Sequence, residues 1–167
     1  MEFSWWEGLA AGGVATVLMT LLMQMGAALG MTRMDMAVML GSMVRRDAVS
    51  ARRLGLAVHF MNGLVFGLIY ALVWWALDPA ALSDAWWIGL IFGGVHGLVA
   101  LVAMPMMSAV HPRVQAVSAM GDASVGEVQL PPFGLGGRGF GAMTPVGILL
   151  GHLVFGLVWG LAFWWLA

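Results

Sequence analysis

The chain has 167 residues, of which 62% are hydrophobic and 9% are charged, with a formal net charge of -1 at pH 7. This composition excludes a water-soluble globular domain and gives no reason to expect a nucleic-acid partner. Cysteine is absent, which excludes a disulfide framework, a haem thioether attachment and an iron–sulfur cluster.

Four continuous apolar stretches follow one another at Gly8–Gly30, Leu54–Leu77, Trp86–Met107 and Val146–Leu166. A helix rises about 1.5 Å per residue, so each stretch is long enough to cross about 30 Å of hydrocarbon. The stretches lack the alternation of β-barrel strands. The sequence therefore predicts an all-α integral membrane protein with four transmembrane helices in a single membrane domain, residues 1–167.

Arginine and tryptophan mark opposite ends of these stretches. All seven basic residues are arginines, and they follow the first and third stretches: Arg33, Arg45, Arg46, Arg52, Arg53, Arg113 and Arg138. All nine tryptophans lie at the other ends: Trp5, Trp6, Trp74, Trp75, Trp86, Trp87, Trp159, Trp164 and Trp165. The positive-inside rule predicts cytoplasmic arginine loops and both termini outside, in a bacterial inner membrane.

Two phrases each occur twice. WWEGLAAGGV at Trp5–Val14 returns as WWIGLIFGGV at Trp86–Val95, with seven of ten positions identical. HFMNGLVFGLIY at His59–Tyr70 returns as HLVFGLVWGLAF at His152–Phe163. The offsets are 81 residues for the first phrase and 93 for the second.

These phrases predict two duplicated hairpins, residues 1–77 and residues 82–167. Equivalent helices then cross in the same direction, so the repeat is of the parallel type, with a pseudo-twofold axis along the membrane normal. The twelve-residue difference between the offsets, 93 − 81, predicts an insertion at about 119–143. Its glycine-rich part, Gln129–Gly141, is typical of a flexible or re-entrant connector.

Three histidines, His59, His96 and His152, lie within the apolar stretches on glycine-rich helix faces. Ionisable side chains are costly inside a membrane and commonly have a function there. By symmetry, His59 and His152 would face each other as a bis-imidazole pair around the iron of haem b, and Gly63 and Gly156 would leave room for the macrocycle.

Other interpretations of the same histidines remain open. A copper or zinc ion could be held by His59, His96 and His152, and a chlorin pigment needs one axial histidine. His96 aligns with Ala15 in the first repeat, so it lies outside the symmetric pair. A purely structural histidine would hydrogen-bond to polar residues of neighbouring helices. Candidate partners of that kind are Asn62, Tyr70, Thr20 and Gln24.

The sequence contains no catalytic signature. It favours a small, non-enzymatic membrane subunit that accompanies a larger electron-transfer or respiratory-type complex and holds haem or a metal between its helices. Lipid and partner membrane subunits, or further copies of the chain, are the expected partners. The alternative is a small oligomeric transporter or channel lined by the three histidines and by a polar stripe of Thr16, Thr20 and Gln24.

Overall fold

The computed structural model describes residue 3 and residues 5–79, 81–114 and 126–167. Within these residues the chain is all-helical, and the β-structure amounts to isolated bridges. The α-helices are α1 (Trp5–Ala28), α2 (Met36–Gly41), α3 (Ala48–Leu77), α4 (Ala85–Val110) and α5 (Thr144–Leu166). Helices α1, α3, α4 and α5 are long and apolar enough to cross a membrane, which confirms the prediction of four such helices.

Helix α3 begins at Ala48, six residues before the apolar stretch that predicted it. The side chain of Asp47 accepts a hydrogen bond of 2.8 Å from the backbone N–H of Ser50 and so caps the first turn. The same hydrogen bond lowers the pKa of the Asp47 carboxyl below its usual value. Hydropathy marks the apolar part of a helix, so it missed the residues before Leu54, which include Arg52 and Arg53.

The chain divides into two compact units. Unit 1 comprises Met1–Met23, Phe60–Leu98 and Leu149–Ala167, and it contains every tryptophan. Unit 2 comprises Gln24–His59 and Val99–Ile148, and it contains every arginine. Part of the predicted insertion, residues 119–125, lies outside the residues that the structure describes.

In unit 1, α1 crosses α3 through glycines. A Cβ atom added at Gly12 would lie 2.8 Å from the Cα of Gly67, and one added at Gly67 would lie 2.6 Å from the Cα of Gly12. Such distances are too short for any side chain. Small residues let helix backbones approach each other closely in lipid, where burial of apolar surface gives no net attraction between helices.

A second crossing in unit 1 joins α4 to α5. A Cβ atom at Gly156 would meet the backbone oxygen of Gly89 and would lie 2.9 Å from the Cα of Gly93. A Cβ atom at Gly93 would in turn meet the backbone oxygen of His152. The contact is therefore one of backbone against backbone.

Large aromatic side chains fill the core of unit 1 between these crossings. Trp159 of α5 is fully buried, and its indole Nε1–H donates a hydrogen bond of 3.1 Å to the backbone oxygen of Gly67 in α3. The hydrogen bond satisfies the polar atom of a buried indole and links the two crossings. The core cluster consists of Ala11, Ala15, Met19, Tyr70, Ala71, Trp74, Ala85, Ile88, Phe155, Trp159 and Phe163.

In unit 2, the short helix α2 packs on the first turns of α3. A Cβ atom at Gly41 would meet the backbone of Ala51, and one at Gly55 would meet the backbone of Ala37. The side chain of Asp35 caps α2 by accepting a hydrogen bond of 3.0 Å from the Val38 N–H.

The glycine-rich segment of unit 2 is packed. The rings of Phe133 and Phe140 are buried with their centroids 5.1 Å apart. The backbone oxygen of Phe140 accepts a hydrogen bond of 2.9 Å from the Arg33 N–H. A 3₁₀ segment, Leu135–Phe140, ends at the second of these phenylalanines, and within it Gly136 takes a φ of 62°. The segment that the sequence predicted as a flexible or re-entrant connector thus makes ring and hydrogen-bond contacts within unit 2.

Candidate functional site

Three polar side chains from three helices meet inside unit 1, and we call them the histidine cluster: Tyr70 of α3, His96 of α4 and His152 of α5. The imidazole centroids of His96 and His152 are 4.5 Å apart, with the ring planes inclined by 71°. The hydroxyl of Tyr70 lies 3.2 Å from Nδ1 of His96, within hydrogen-bond distance. The phenol of Tyr70 thus lies beside the imidazole of His96, which in turn contacts the imidazole of His152.

Glycines of α4 bring the two imidazoles together. A Cβ atom at Gly97 would lie 3.2 Å from the Cβ of His152, and one at Gly93 would meet the His152 backbone oxygen. Because these two positions carry no side chain, α5 lies close enough for His152 to contact the ring of His96, which stands between them on α4.

Aromatic rings surround the cluster. The ring of Phe66 lies against His96 with a centroid distance of 3.8 Å and an angle of 30°. Tyr70 makes edge contacts with three further rings, at 5.2 Å to Phe92, 5.6 Å to Phe155 and 5.3 Å to Trp159. Hydrogen bonds are electrostatically stronger in such an apolar environment than in water.

The direction of the Tyr70–His96 hydrogen bond depends on the tautomer of the His96 ring. A neutral imidazole has one N–H donor and one acceptor nitrogen. If Nδ1–H donates to the Tyr70 oxygen, the lone pair of Nε2 is left to accept a proton or to bind a metal. Metal-binding histidines commonly donate their second N–H to an oxygen in this way.

In the structure His152 contacts His96, whereas sequence symmetry paired it with His59. His96, the residue outside the symmetric pair, contacts His152, and Tyr70 was among its predicted hydrogen-bond partners. His59 is 8% exposed and belongs to unit 2. Its pairing with His152 stays a prediction, as does the three-histidine set.

The two glycines assigned to a macrocycle face neighbouring helices. A Cβ atom at Gly63 would meet the side chain of Thr16 in α1, and one at Gly156 would meet the backbone of Gly89 in α4. Neighbouring helices therefore occupy the space beside both glycines that was assigned to the macrocycle.

The predicted polar stripe of α1 makes internal hydrogen bonds. The Thr16 hydroxyl donates to the Gly12 oxygen at 2.6 Å, and the Thr20 hydroxyl donates to the Thr16 oxygen at 2.7 Å. Gln24, in unit 2, is exposed. Threonines that bond back to their own helix have no hydroxyl proton left to offer to a permeating solute.

The fourth histidine, His111 of unit 2, has a structural environment. Its Nε2 lies 2.9 Å from the Met39 oxygen, and its Nδ1 accepts a hydrogen bond of 3.1 Å from the Arg113 N–H. Across the described residues, no group of three or more His, Cys, Asp or Glu side chains is arranged to hold a metal ion. The histidine cluster thus offers two imidazoles and a phenol.

No protein-family model, curated protein sequence or solved structure shows significant similarity to this chain.

Proposed function

We propose that the chain is a small, non-catalytic integral membrane protein that acts as an accessory subunit of a larger electron-transfer or respiratory-type membrane complex. Within unit 1 its histidine cluster would bind a transition-metal ion. The observation that carries this proposal is the 4.5 Å contact between the imidazoles of His96 and His152. Imidazole is a good ligand for copper, zinc and iron.

The Tyr70 hydroxyl supports the metal proposal. It lies 3.2 Å from Nδ1 of His96, and in the tautomer in which Nδ1–H donates to the Tyr70 oxygen the lone pair of Nε2 can bind a metal. Two ligands and one orienting phenol leave coordination positions for water, a substrate or a residue of a partner subunit. A site completed by a partner is consistent with an accessory role.

The distance between the rings of His96 and His152 favours a single metal ion over haem as the group that these two histidines would bind. Two metal–nitrogen bonds of about 2 Å on opposite sides of an iron place the ring centroids roughly 6 Å apart. The observed 4.5 Å is shorter than that and is closer to a bent N–metal–N arrangement. Haem b held by His59 and His152 is a separate prediction, to be tested alongside.

The glycine contacts support the duplication. The crossing of α1 and α3 and the crossing of α4 and α5 use residues related by the two sequence offsets. The equivalent pairs are Gly8 and Gly89, Gly12 and Gly93, Gly63 and Gly156, and Gly67 and Gly160. We propose that a hairpin was duplicated in parallel orientation, and that the arginine-bearing segments face the cytoplasm of a bacterial cell with both termini outside.

Elemental analysis of the purified protein tests the metal proposal. We expect near-stoichiometric copper, zinc or iron after loading, and loss of most of it in His96→Ala and in His152→Ala. His111→Gln is the matched control, because His111 bonds to backbone groups of unit 2, and it should keep the metal. His59→Ala tests the three-histidine alternative, and a Soret band lost in His59→Ala and His152→Ala would support haem.

Metal retained in both His96→Ala and His152→Ala would refute the cluster as the site. The accessory role has its own test. Affinity purification from a gentle detergent is expected to recover the chain with one larger membrane complex at a fixed ratio. Recovery of the chain alone, together with solute flux in proteoliposomes, would favour the transporter alternative.

A further inference from the structure

Exposed arginines are concentrated in unit 2 where the chain enters helix α3. The segment from residue 45 to residue 53 contains one acidic residue, Asp47, whose carboxylate already accepts the Ser50 N–H as the cap of α3. The same segment contains four arginines, all of them exposed: Arg45, Arg46, Arg52 and Arg53. The beginning of α3 therefore carries an excess of positive charge.

The four arginines differ in whether a carboxylate neutralises them. Arg52 forms an ion pair with Asp35, and Nη1 of Arg46 lies 3.7 Å from a carboxylate oxygen of Glu127. Among the residues that the structure describes, no carboxylate pairs with the guanidinium of Arg53. A guanidinium group stays charged and has five N–H donors, so Arg53 can bind an anion from outside the chain.

Apolar residues flank Arg53 on the exposed side of α3. Val49, four residues earlier, is 63% exposed, and Leu56, three residues later, is 39% exposed. Residues three and four positions apart lie on the same face of a helix, so these three side chains form one stripe. The other side of α3 is covered, because Ala51 and Gly55 lie against the backbone of α2.

We infer that this stripe binds an anionic phospholipid, with the phosphate group at Arg53 and an acyl chain along Leu56. Helix α3 is long and apolar enough to cross a membrane, and Arg53 directly precedes its apolar stretch, at the depth of lipid headgroups. Arginine clusters at the end of a membrane helix attract anionic lipids. Such binding requires only that α3 crosses a membrane, and it is independent of the histidine cluster.

The charge and the acyl chains of the ligand both contribute to this assignment. A phosphatidylcholine headgroup carries its own cation, so it gains less from an arginine than phosphatidylglycerol does. Free glycerol 3-phosphate has the phosphate group but no acyl chain to lie along Leu56. Comparison of these three ligands therefore separates a lipid site from a site for any phosphate.

Native mass spectrometry of the purified protein in detergent micelles measures the binding, by titration with phosphatidylglycerol and with phosphatidylcholine of the same acyl chains. A photoreactive phosphatidylglycerol, followed by peptide mapping, locates the bound lipid. Arg53→Gln removes the charge, and Arg53→Lys keeps it. Arg52→Gln is the matched control, because it removes the same charge from the neighbouring residue, which is already paired with Asp35. Circular dichroism checks that each variant keeps its helices.

We expect phosphatidylglycerol to bind about fivefold more tightly than phosphatidylcholine, with cross-links between residues 45 and 56. Arg53→Gln should weaken phosphatidylglycerol by about fivefold and leave phosphatidylcholine unchanged, whereas Arg53→Lys and Arg52→Gln should each change it by less than about twofold. Equal binding of the two lipids would overturn the proposal, and so would unchanged phosphatidylglycerol binding in Arg53→Gln. Displacement of the lipid by an equal concentration of glycerol 3-phosphate would overturn the assignment to a phospholipid.

Discussion

The two helix crossings of unit 1 are built on equivalent glycines but carry different side chains beside them. At the crossing of α1 and α3, the residue four positions after Gly12 is Thr16, and its side chain lies over Gly63. At the crossing of α4 and α5, the equivalent position is Gly97, which lies against His152. The first crossing is thus closed by a threonine, whereas the second brings two imidazoles into contact.

The same contrast appears at the residues that directly precede these positions. Ala11 and Ala15 of α1 are fully buried in the core cluster. The equivalent residues of α4 are Phe92 and His96, which contact Tyr70. Glycine contacts set the distance between backbones at both crossings. The residues next to those glycines make the α1–α3 crossing a packing contact and place polar groups at the α4–α5 crossing.

Gly156→Val should have the largest effect, because the new side chain meets the backbone of Gly89, which cannot move aside. We expect a loss of about 3 kcal/mol in the free energy of unfolding, measured by denaturant titration in bicelles. Gly147→Val in the same helix is the control, since nothing lies within 4 Å of that position. Equal losses in the two variants would contradict the close α4–α5 contact.

Gly63→Ala tests the first crossing, where the new Cβ meets the Thr16 side chain. We expect a loss of about 2 kcal/mol, of which about half should be regained in the double variant Thr16→Ala/Gly63→Ala. No second substitution can relieve Gly156→Ala in the same way, because its new Cβ would meet backbone atoms and not a side chain. Additive effects of Thr16→Ala and Gly63→Ala would show that the two crossings do not differ in this way.

Trp159→Phe removes the hydrogen bond to Gly67 that links the crossings, and it leaves a small void in the core. The expected loss is about 1–2 kcal/mol in the same unfolding measurement. Trp164→Phe on the exposed surface of α5 should cost close to nothing and serves as the control. A loss no larger than that of the control would mean that the indole hydrogen bond is not formed.

Tyr70→Phe should have the smallest effect on stability, about 0.6 kcal/mol, which is typical of a side-chain hydrogen bond between membrane helices. Its second readout is more specific. The ¹⁵N chemical shifts of the His96 ring report its tautomer, and they should change in Tyr70→Phe while those of His111 stay constant. Unchanged His96 shifts would place the hydroxyl elsewhere.

Hydropathy was sufficient to predict the four long helices, because each apolar stretch is longer than a membrane is thick. Four-residue glycine spacing likewise predicts close backbone contacts. The symmetric haem pair left out His96, and only the three-histidine metal set placed it with His152. Sequence symmetry compares His152 with His59, whereas contact depends on which helix approaches His152, and Gly93 and Gly97 make that helix α4. Hydropathy thus predicts which segments form the long helices, but it does not predict which of these helices contact each other.

The most direct test of the histidine cluster is a proton–proton NOE experiment on protein with isotopically labelled histidine rings, with each ring assigned by a His→Gln variant. The 4.5 Å contact predicts a strong cross-peak between the rings of His96 and His152 that disappears in either variant. A cross-peak that joins His152 to His59, with none to His96, would contradict the cluster and would support the symmetric pair.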